Sequence, residues 1–105
     1  MLTQHVHVSQ STPMIVLKGE IDVATVPPAR QAIIDRIAID ADVIVDLRAV
    51  TFIDSTGLGM LVGGLKRAKA AGGQLRLVIS GDRMLSVFQL TSLDRLFEFV
   101  EISEA

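Results

Sequence analysis

Apolar and polar residues alternate at the start of the chain. Val6 and Val8 interleave with His5, His7 and Ser9, the period-two signature of a half-exposed strand. Ser11-Thr12-Pro13 breaks the pattern. Met14 to Leu17 is continuously apolar and predicts a more deeply buried second strand, antiparallel to the first. Two carboxylates, Glu20 and Asp22, follow just past it. From Thr25 the period changes. Val26, Ala29, Ile33 and Ile37 recur at helical spacing. Thr25 is placed to cap that helix, and its first turn tolerates Pro27 and Pro28. Val43-Ile44-Val45, continuing through Leu47, reads as a central strand. After Phe52 to Gly57 a second helix runs to about Ala71, where Gly72-Gly73 ends it. Leu75, Leu77, Val78 and Ile79 predict the next strand. Ser80, Gly81 and Asp82 open a third helix with Met84, Val87 and Phe88 inward, and Phe97, Phe99 and Val100 predict a last strand. The order ββαβαβαβ predicts an α/β fold over residues 1–105: a mixed, mostly parallel sheet of about five strands with helices packed on it.

The second helix has an unusual surface. At about 100° per residue, Leu58, Leu61, Val62, Leu65 and Ala68 cluster on one side and are expected to face the core. Gly59, Gly63, Lys66 and Ala70 share the stripe of Ser55, and Met60, Gly64 and Arg67 lie beside it, also away from the core. Glycine inside a helix costs about 1 kcal/mol relative to alanine, so something must offset three of them. Either the helix packs closely on a neighbour, or it offers a flat face on which another protein docks, with Met60 as an adaptable apolar contact.

Composition narrows the function classes. The chain has 105 residues, half of them hydrophobic, and a net charge of −2. Without cysteine there is no disulfide and no thiolate metal site. The charge balance lacks the basic footprint of a nucleic-acid binder. The first ten residues do not resemble a signal peptide, and no apolar run reaches the roughly 18 residues of a membrane span. A soluble cytoplasmic protein without cofactor or metal is expected.

The segment FIDSTGLG, residues 52–59, carries the candidate chemistry. It puts Ser55 on a turn between a buried strand and a helix, with Asp54 before it and Gly57 after. Such a hydroxyl can be a helix cap, a nucleophile or a phosphate acceptor. Capping is the commonest use of a serine there, although Asp54 and Thr56 could share it. A nucleophile needs a base and an oxyanion hole. Of the two histidines, His5 and His7, one could in principle approach Ser55, but nothing in the sequence arranges it, and the G-x-S-x-G elbow is absent. His5-x-His7 could in principle bind a metal, but an exposed strand face explains it more simply. Gly57-x-Gly59 continues to Val62, and no G-K-[ST] follows, so both nucleotide-binding patterns fail. As an acceptor, Ser55 would sit at a helix N-terminus, where unpaired N–H groups tolerate a phosphate. The added charge would alter a docking surface there without disturbing the core.

VDLRAVTFIDSTGLGMLVGGLKRAKAAGGQLRLV resembles the signature segment of the STAS domain in its stand-alone bacterial form, the anti-sigma factor antagonist. GEIDVATVPPARQAI resembles that family's upstream element, and SVFQLTSLDRLFEF its C-terminal helix and last strand. The resemblance implies a non-enzymatic switch. The antagonist binds an anti-sigma factor that is also a serine kinase and so frees a sigma factor. Phosphorylation of the serine in the D-S-[ST]-G turn ends the binding, and a metal-dependent serine phosphatase restores it. Carried onto this chain, Ser55 is the phosphoacceptor. Asp22, expected to be exposed, lies with Asp54, Thr56 and Gly57 at the kinase interface, which Gly59 and Gly63 extend. A phosphorylation-independent STAS module in a transport or stress-signalling complex is the alternative.

Overall fold

The computed structural model describes residues 3–9 and 14–103, with side chains from Met14 to Ile102. Its elements are β1 (Thr3–Ser9), β2 (Ile15–Ile21), α1 (Val26–Ile39), β3 (Val43–Ile53), α2 (Ser55–Ala70), β4 (Leu75–Val78), α3 (Gly81–Leu90), a 3-10 turn at Leu93–Arg95 and β5 (Glu98–Ser103). The alternation read from the hydrophobic pattern is therefore present, with five strands and three α-helices among the described residues.

The sheet order is β1-β5-β4-β3-β2, and every adjacent pair is parallel. This corrects the expected mixed sheet with β1 antiparallel to β2. A short polar break between two strands ordinarily marks a hairpin, because short connections join antiparallel neighbours. The break is a local signal and does not choose the partner. β2 pairs with the long apolar strand β3, and β1 takes the opposite edge beside β5.

Side-chain alternation sorts the sheet into two faces. Leu17, Ile21, Val43, Val45, Leu47, Leu75, Leu77, Phe97 and Phe99 meet the buried residues of all three helices in one continuous core. Val26, Ala29, Ile33 and Ile37, the residues that predicted α1, are its buried stripe. Phe88 of α3 is fully buried and meets Phe97 and Phe99 edge to face, with centroids 5.8 and 5.4 Å apart, the arrangement the ring quadrupoles favour. A smaller cluster of Ile44, Val78 and Val100 belongs to the other face. Two ion pairs lie there. Arg76 Nε donates to Glu98 at 2.6 Å, and Arg48 Nε and Nη2 donate to Asp46 at 3.0 and 2.9 Å. Burial by itself would raise the Asp46 pKa; the hydrogen bonds and charge of Arg48 outweigh it and hold the carboxyl below its usual range.

The pairing of β2 with β3 positions the candidate site. Val16 lies opposite Asp46 but Glu20 lies opposite Phe52, so β3 advances six residues while β2 advances four. Gly19, at φ 77°, sits at one of these irregularities, a conformation that glycine adopts without a Cβ penalty. β2 consequently runs on to Ile21 and contains Glu20, which the sequence pattern had put beyond the strand. After the irregularities Ile21 is level with Ile53. Asp22 and Asp54 leave the sheet as neighbours at the carboxyl ends of two parallel strands, where open α/β sheets characteristically place their sites.

Candidate functional site around Ser55

Backbone geometry ties the two loops together. The Asp54 N–H donates to the Ile21 carbonyl at 3.2 Å. The Asp22 carboxylate accepts from the Ala24 and Thr25 N–H groups at 2.9 and 3.2 Å, closing the turn from β2 into α1. Thr25 does occupy the N-cap position, but its side chain makes no capping bond. Its hydroxyl donates instead to the Glu20 carbonyl at 2.9 Å and accepts from the Asp22 N–H at 2.9 Å. Asp22 is half-buried rather than exposed, because it organises the turn it belongs to.

Asp54 does the corresponding work for α2. Its carboxylate accepts from the Thr56 hydroxyl at 2.6 Å and from the Thr56 and Gly57 N–H groups at 2.9 and 3.1 Å. The Thr56 hydroxyl, then the backbone donors, hold its pKa below the usual carboxylate range. A carboxylate so held stabilises the fold above the ordinary pKa of the unfolded chain. That contribution disappears as pH falls through the lower folded value. Asp54→Ala is expected to lower the melting temperature at neutral pH through loss of the cap, with the gap to wild type closing in acid. Thermal denaturation at neutral pH and near pH 3 measures both.

With Asp54 as the cap, Ser55 has no structural duty. It is the first residue of α2, it is exposed, and its hydroxyl has no hydrogen-bond partner among the described residues. The capping role open to Ser55 from the sequence belongs to Asp54. Among the described residues no base is bonded to the hydroxyl, as a serine nucleophile requires. The side chains of His5 and His7 lie outside the described residues, so the His5-x-His7 reading does too.

The other predicted site residues divide by burial. Thr56, Gly59 and Gly63 are exposed, and a Cβ at Gly59 or Gly63 would meet nothing within 4 Å. These two positions form the open face expected of them. Gly57 is buried: a Cβ there would lie 2.6 Å from Ile53 Cγ1 and 2.8 Å from Ile21 Cγ2. Its absent side chain lets α2 start directly over the ends of β2 and β3. Met60 is only 4% exposed, and a Cβ on buried Gly64 would approach Leu75 and Ile33 at 3.0 and 3.1 Å. The expectation that Met60 and Gly64 point away from the core is therefore corrected. α1 packs against that flank of α2, and a helical wheel drawn for one helix does not include its neighbour. Both explanations of the glycines hold, at different positions: Gly64 allows packing, while Gly59 and Gly63 leave surface bare.

Apolar side chains rim the same end. Val23, in the turn after Asp22, is 73% exposed and Phe52 is 51% exposed. Among the described residues no cluster of three or more His, Asp or Glu could hold a metal ion. No helix of the described residues is long and apolar enough to cross a membrane. The sequence reading did not single out Arg30, which lines a groove with Gly59 and Gly63. Only the packing of α1 on α2 brings it there.

This geometry has relatives. Residues 4–105 match the family model described as the STAS domain. The anti-sigma-B factor antagonist of Bacillus subtilis is 35% identical over 88 residues, covering 84% of this chain and 81% of the relative. A crystal structure of an anti-sigma factor antagonist from Mycobacterium paratuberculosis superposes with a TM-score of 0.72 at 31% identity, covering 81% of this chain and 73% of that one. The Bacillus cell fate determinant SpoIIAA in its phosphorylated form gives a TM-score of 0.63 at 26% identity, covering 98% and 86%. With the family model spanning nearly the whole sequence, the chain belongs to the STAS domain family.

Proposed function

We propose that this protein is an anti-sigma factor antagonist. Its unphosphorylated form binds an anti-sigma factor that is also a serine kinase, which frees a sigma factor in the cytoplasm. Phosphorylation of Ser55 switches the binding off, and a serine phosphatase resets it. The observation that carries this reading is the division of labour between Asp54 and Ser55. The carboxylate caps the helix, so the adjacent hydroxyl is exposed and free to be modified without a folding cost. The B. subtilis and M. paratuberculosis relatives support the binding partner by their names, and the phosphorylated state of SpoIIAA supports the modification.

The same cap explains how a phosphate would act. Asp54 already takes the Thr56 and Gly57 N–H groups, and the Leu58 N–H donates to the Asp54 carbonyl. The helix end therefore has little left with which to neutralise a second anion. This departs from the sequence-based expectation of a phosphate tolerated by free N–H groups. A phosphoserine carries about −1.5 to −2 charges. Between Asp54 and the neighbouring turn of Asp22, that charge stays displayed toward the partner. Thr56, Gly59 and Gly63 join Ser55 on the partner-facing surface, while Gly57 and Met60 support it from beneath. The ATP-handling machinery belongs to the kinase, consistent with the failed nucleotide motifs of this chain.

The deciding experiment mixes the purified protein with its cognate anti-sigma factor, with and without ATP and magnesium. A complex without ATP that dissociates as a single phosphate appears on Ser55 is expected. Phosphate mapping to another residue, or a complex that persists with Ser55 fully modified, would count against the switch.

A further inference from the structure

The groove between α1 and α2 leads away from Ser55 along the glycine face. Its first part, about 280 Å³, is lined by Arg30, Ile33 and Ile34 of α1 and by Gly59, Met60 and Gly63 of α2, among others. A second hollow of about 490 Å³ shares Ile34 and Arg67 with it and continues past Ile37 and Ala38 to Ala71. At the far end Ile39 is 80% exposed. From Gly59 to Ala71 the groove follows α2 for about 18 Å at the usual helical rise.

Charge distinguishes this groove from the Ser55 end. Arg30 and Arg67 are exposed on its opposite walls, and neither has an ion pair or side-chain hydrogen bond among the described residues. Arg48 and Arg76 on the sheet are paired with carboxylates. Arg36, Arg83 and Arg95 are also unpaired among the described residues, but Arg30 and Arg67 are the two that line the first part of this groove. Apolar floor, bare glycine wall and two uncommitted guanidinium groups complement one kind of segment: an amphipathic helix with aliphatic residues on the docking stripe and Asp or Glu flanking it.

We propose that the α1–α2 groove receives an acidic amphipathic helix of the anti-sigma factor. It forms a second contact region continuous with the Ser55 surface. This inference rests on the antagonist function proposed above and adds the chemistry of the bound element. The missing side chains at Gly59 and Gly63 let the helix backbone approach α2 closely, while Arg30 and Arg67 pair with its carboxylates from either side. Acidic Asp22 and Asp54 at one end and the arginines along the groove set the orientation of the partner. Modification of Ser55 acts at only one of the two regions.

The test measures affinity of the full protein for its anti-sigma factor by calorimetry at low and moderate salt. The variants are Arg30→Glu/Arg67→Glu, Arg30→Lys/Arg67→Lys and Ser55→Asp. Charge reversal is expected to weaken binding on the order of 10- to 100-fold, with loss of most of its salt dependence. The lysine pair should retain most of the affinity, and the melting temperature should be unchanged. Wild-type affinity in the reversed variant, with Ser55→Asp still weakened, overturns the groove and leaves the antagonist reading standing. No binding by the wild-type protein overturns the antagonist reading itself. Should the reversed pair lower the melting temperature, Gly63→Trp replaces it, filling the groove from a position with no neighbour within 4 Å; unchanged affinity there likewise overturns the groove. Sedimentation of the protein alone adds a final arm: concentration-dependent dimers abolished by charge reversal would assign the groove to a second copy and overturn the proposal.

Discussion

Ser55→Asp is expected to weaken binding to the anti-sigma factor by about 5- to 150-fold, the range of a coupling of about 1–3 kcal/mol, while the fold keeps its stability. Position 55 is exposed and uncommitted, so no native hydrogen bond is lost. A carboxylate in the first turn also favours the positive end of the helix, although proximity to Asp54 reduces that gain. The effect on binding is electrostatic. The partner must accept a second negative charge beside Asp54, whose own charge is bound to Thr56 and Gly57. One carboxylate carries less charge than a phosphate, which places Ser55→Asp toward the low end of the range. Ser55→Asn separates charge from shape, being close to aspartate in size and neutral. Near-wild-type affinity for Ser55→Asn beside weakened Ser55→Asp is the predicted pattern in calorimetry. Equal loss in both would mean that size, not charge, controls the interface.

Gly57→Val is expected to destabilise the protein by about 1–3 kcal/mol, the usual cost of forcing extra atoms into a packed site. For a domain of this size, each kcal/mol lowers the melting temperature by about 4–8 °C. The obstacle is close to the backbone: a Cβ at 57 meets Ile53 Cγ1 at 2.6 Å and Ile21 Cγ2 at 2.8 Å. Neither atom is the free end of a flexible chain, so α2 must lift from the strand ends. Lifting it would stretch the Gly57 N–H to Asp54 bond, at present 3.1 Å, and displace Ser55 with it. Reduced binding should accompany reduced stability. Thermal melts of Gly57→Val and Gly59→Val make the comparison, because position 59 has open space around it. Similar melting temperatures for the two would show that the start of α2 adapts and that Gly57 is not a packing requirement.

Much of the architecture was legible along the chain because each element announces itself locally. The 3.6-residue period of Val26, Ala29, Ile33 and Ile37 reappears as the buried stripe of α1. The apolar run from Val43 to Leu47 is buried throughout. FIDSTG placed Ser55 at a strand-to-helix turn, where the structure has it. Less legible was the extent of β3, which continues to Ile53. Its irregular pairing with β2 disturbs alternation after Leu47, so exposed Arg48, Ala49, Thr51 and Phe52 mask the strand.

Sequence by itself determined which segments become strands and helices, and which hydroxyl stands at the head of α2. Those properties follow from the period of apolar residues and from the backbone preferences of Gly, Pro and the capping residues, all local in the chain. Tertiary structure alone decided that β1 and β2 occupy opposite edges of a parallel sheet. It also decided that Met60 and Gly64 face α1, and that Arg30 and Arg67 flank one groove. Each of these depends on which surfaces meet. Strand pairing and helix packing join residues distant in sequence, and a periodicity describes a face without naming what covers it.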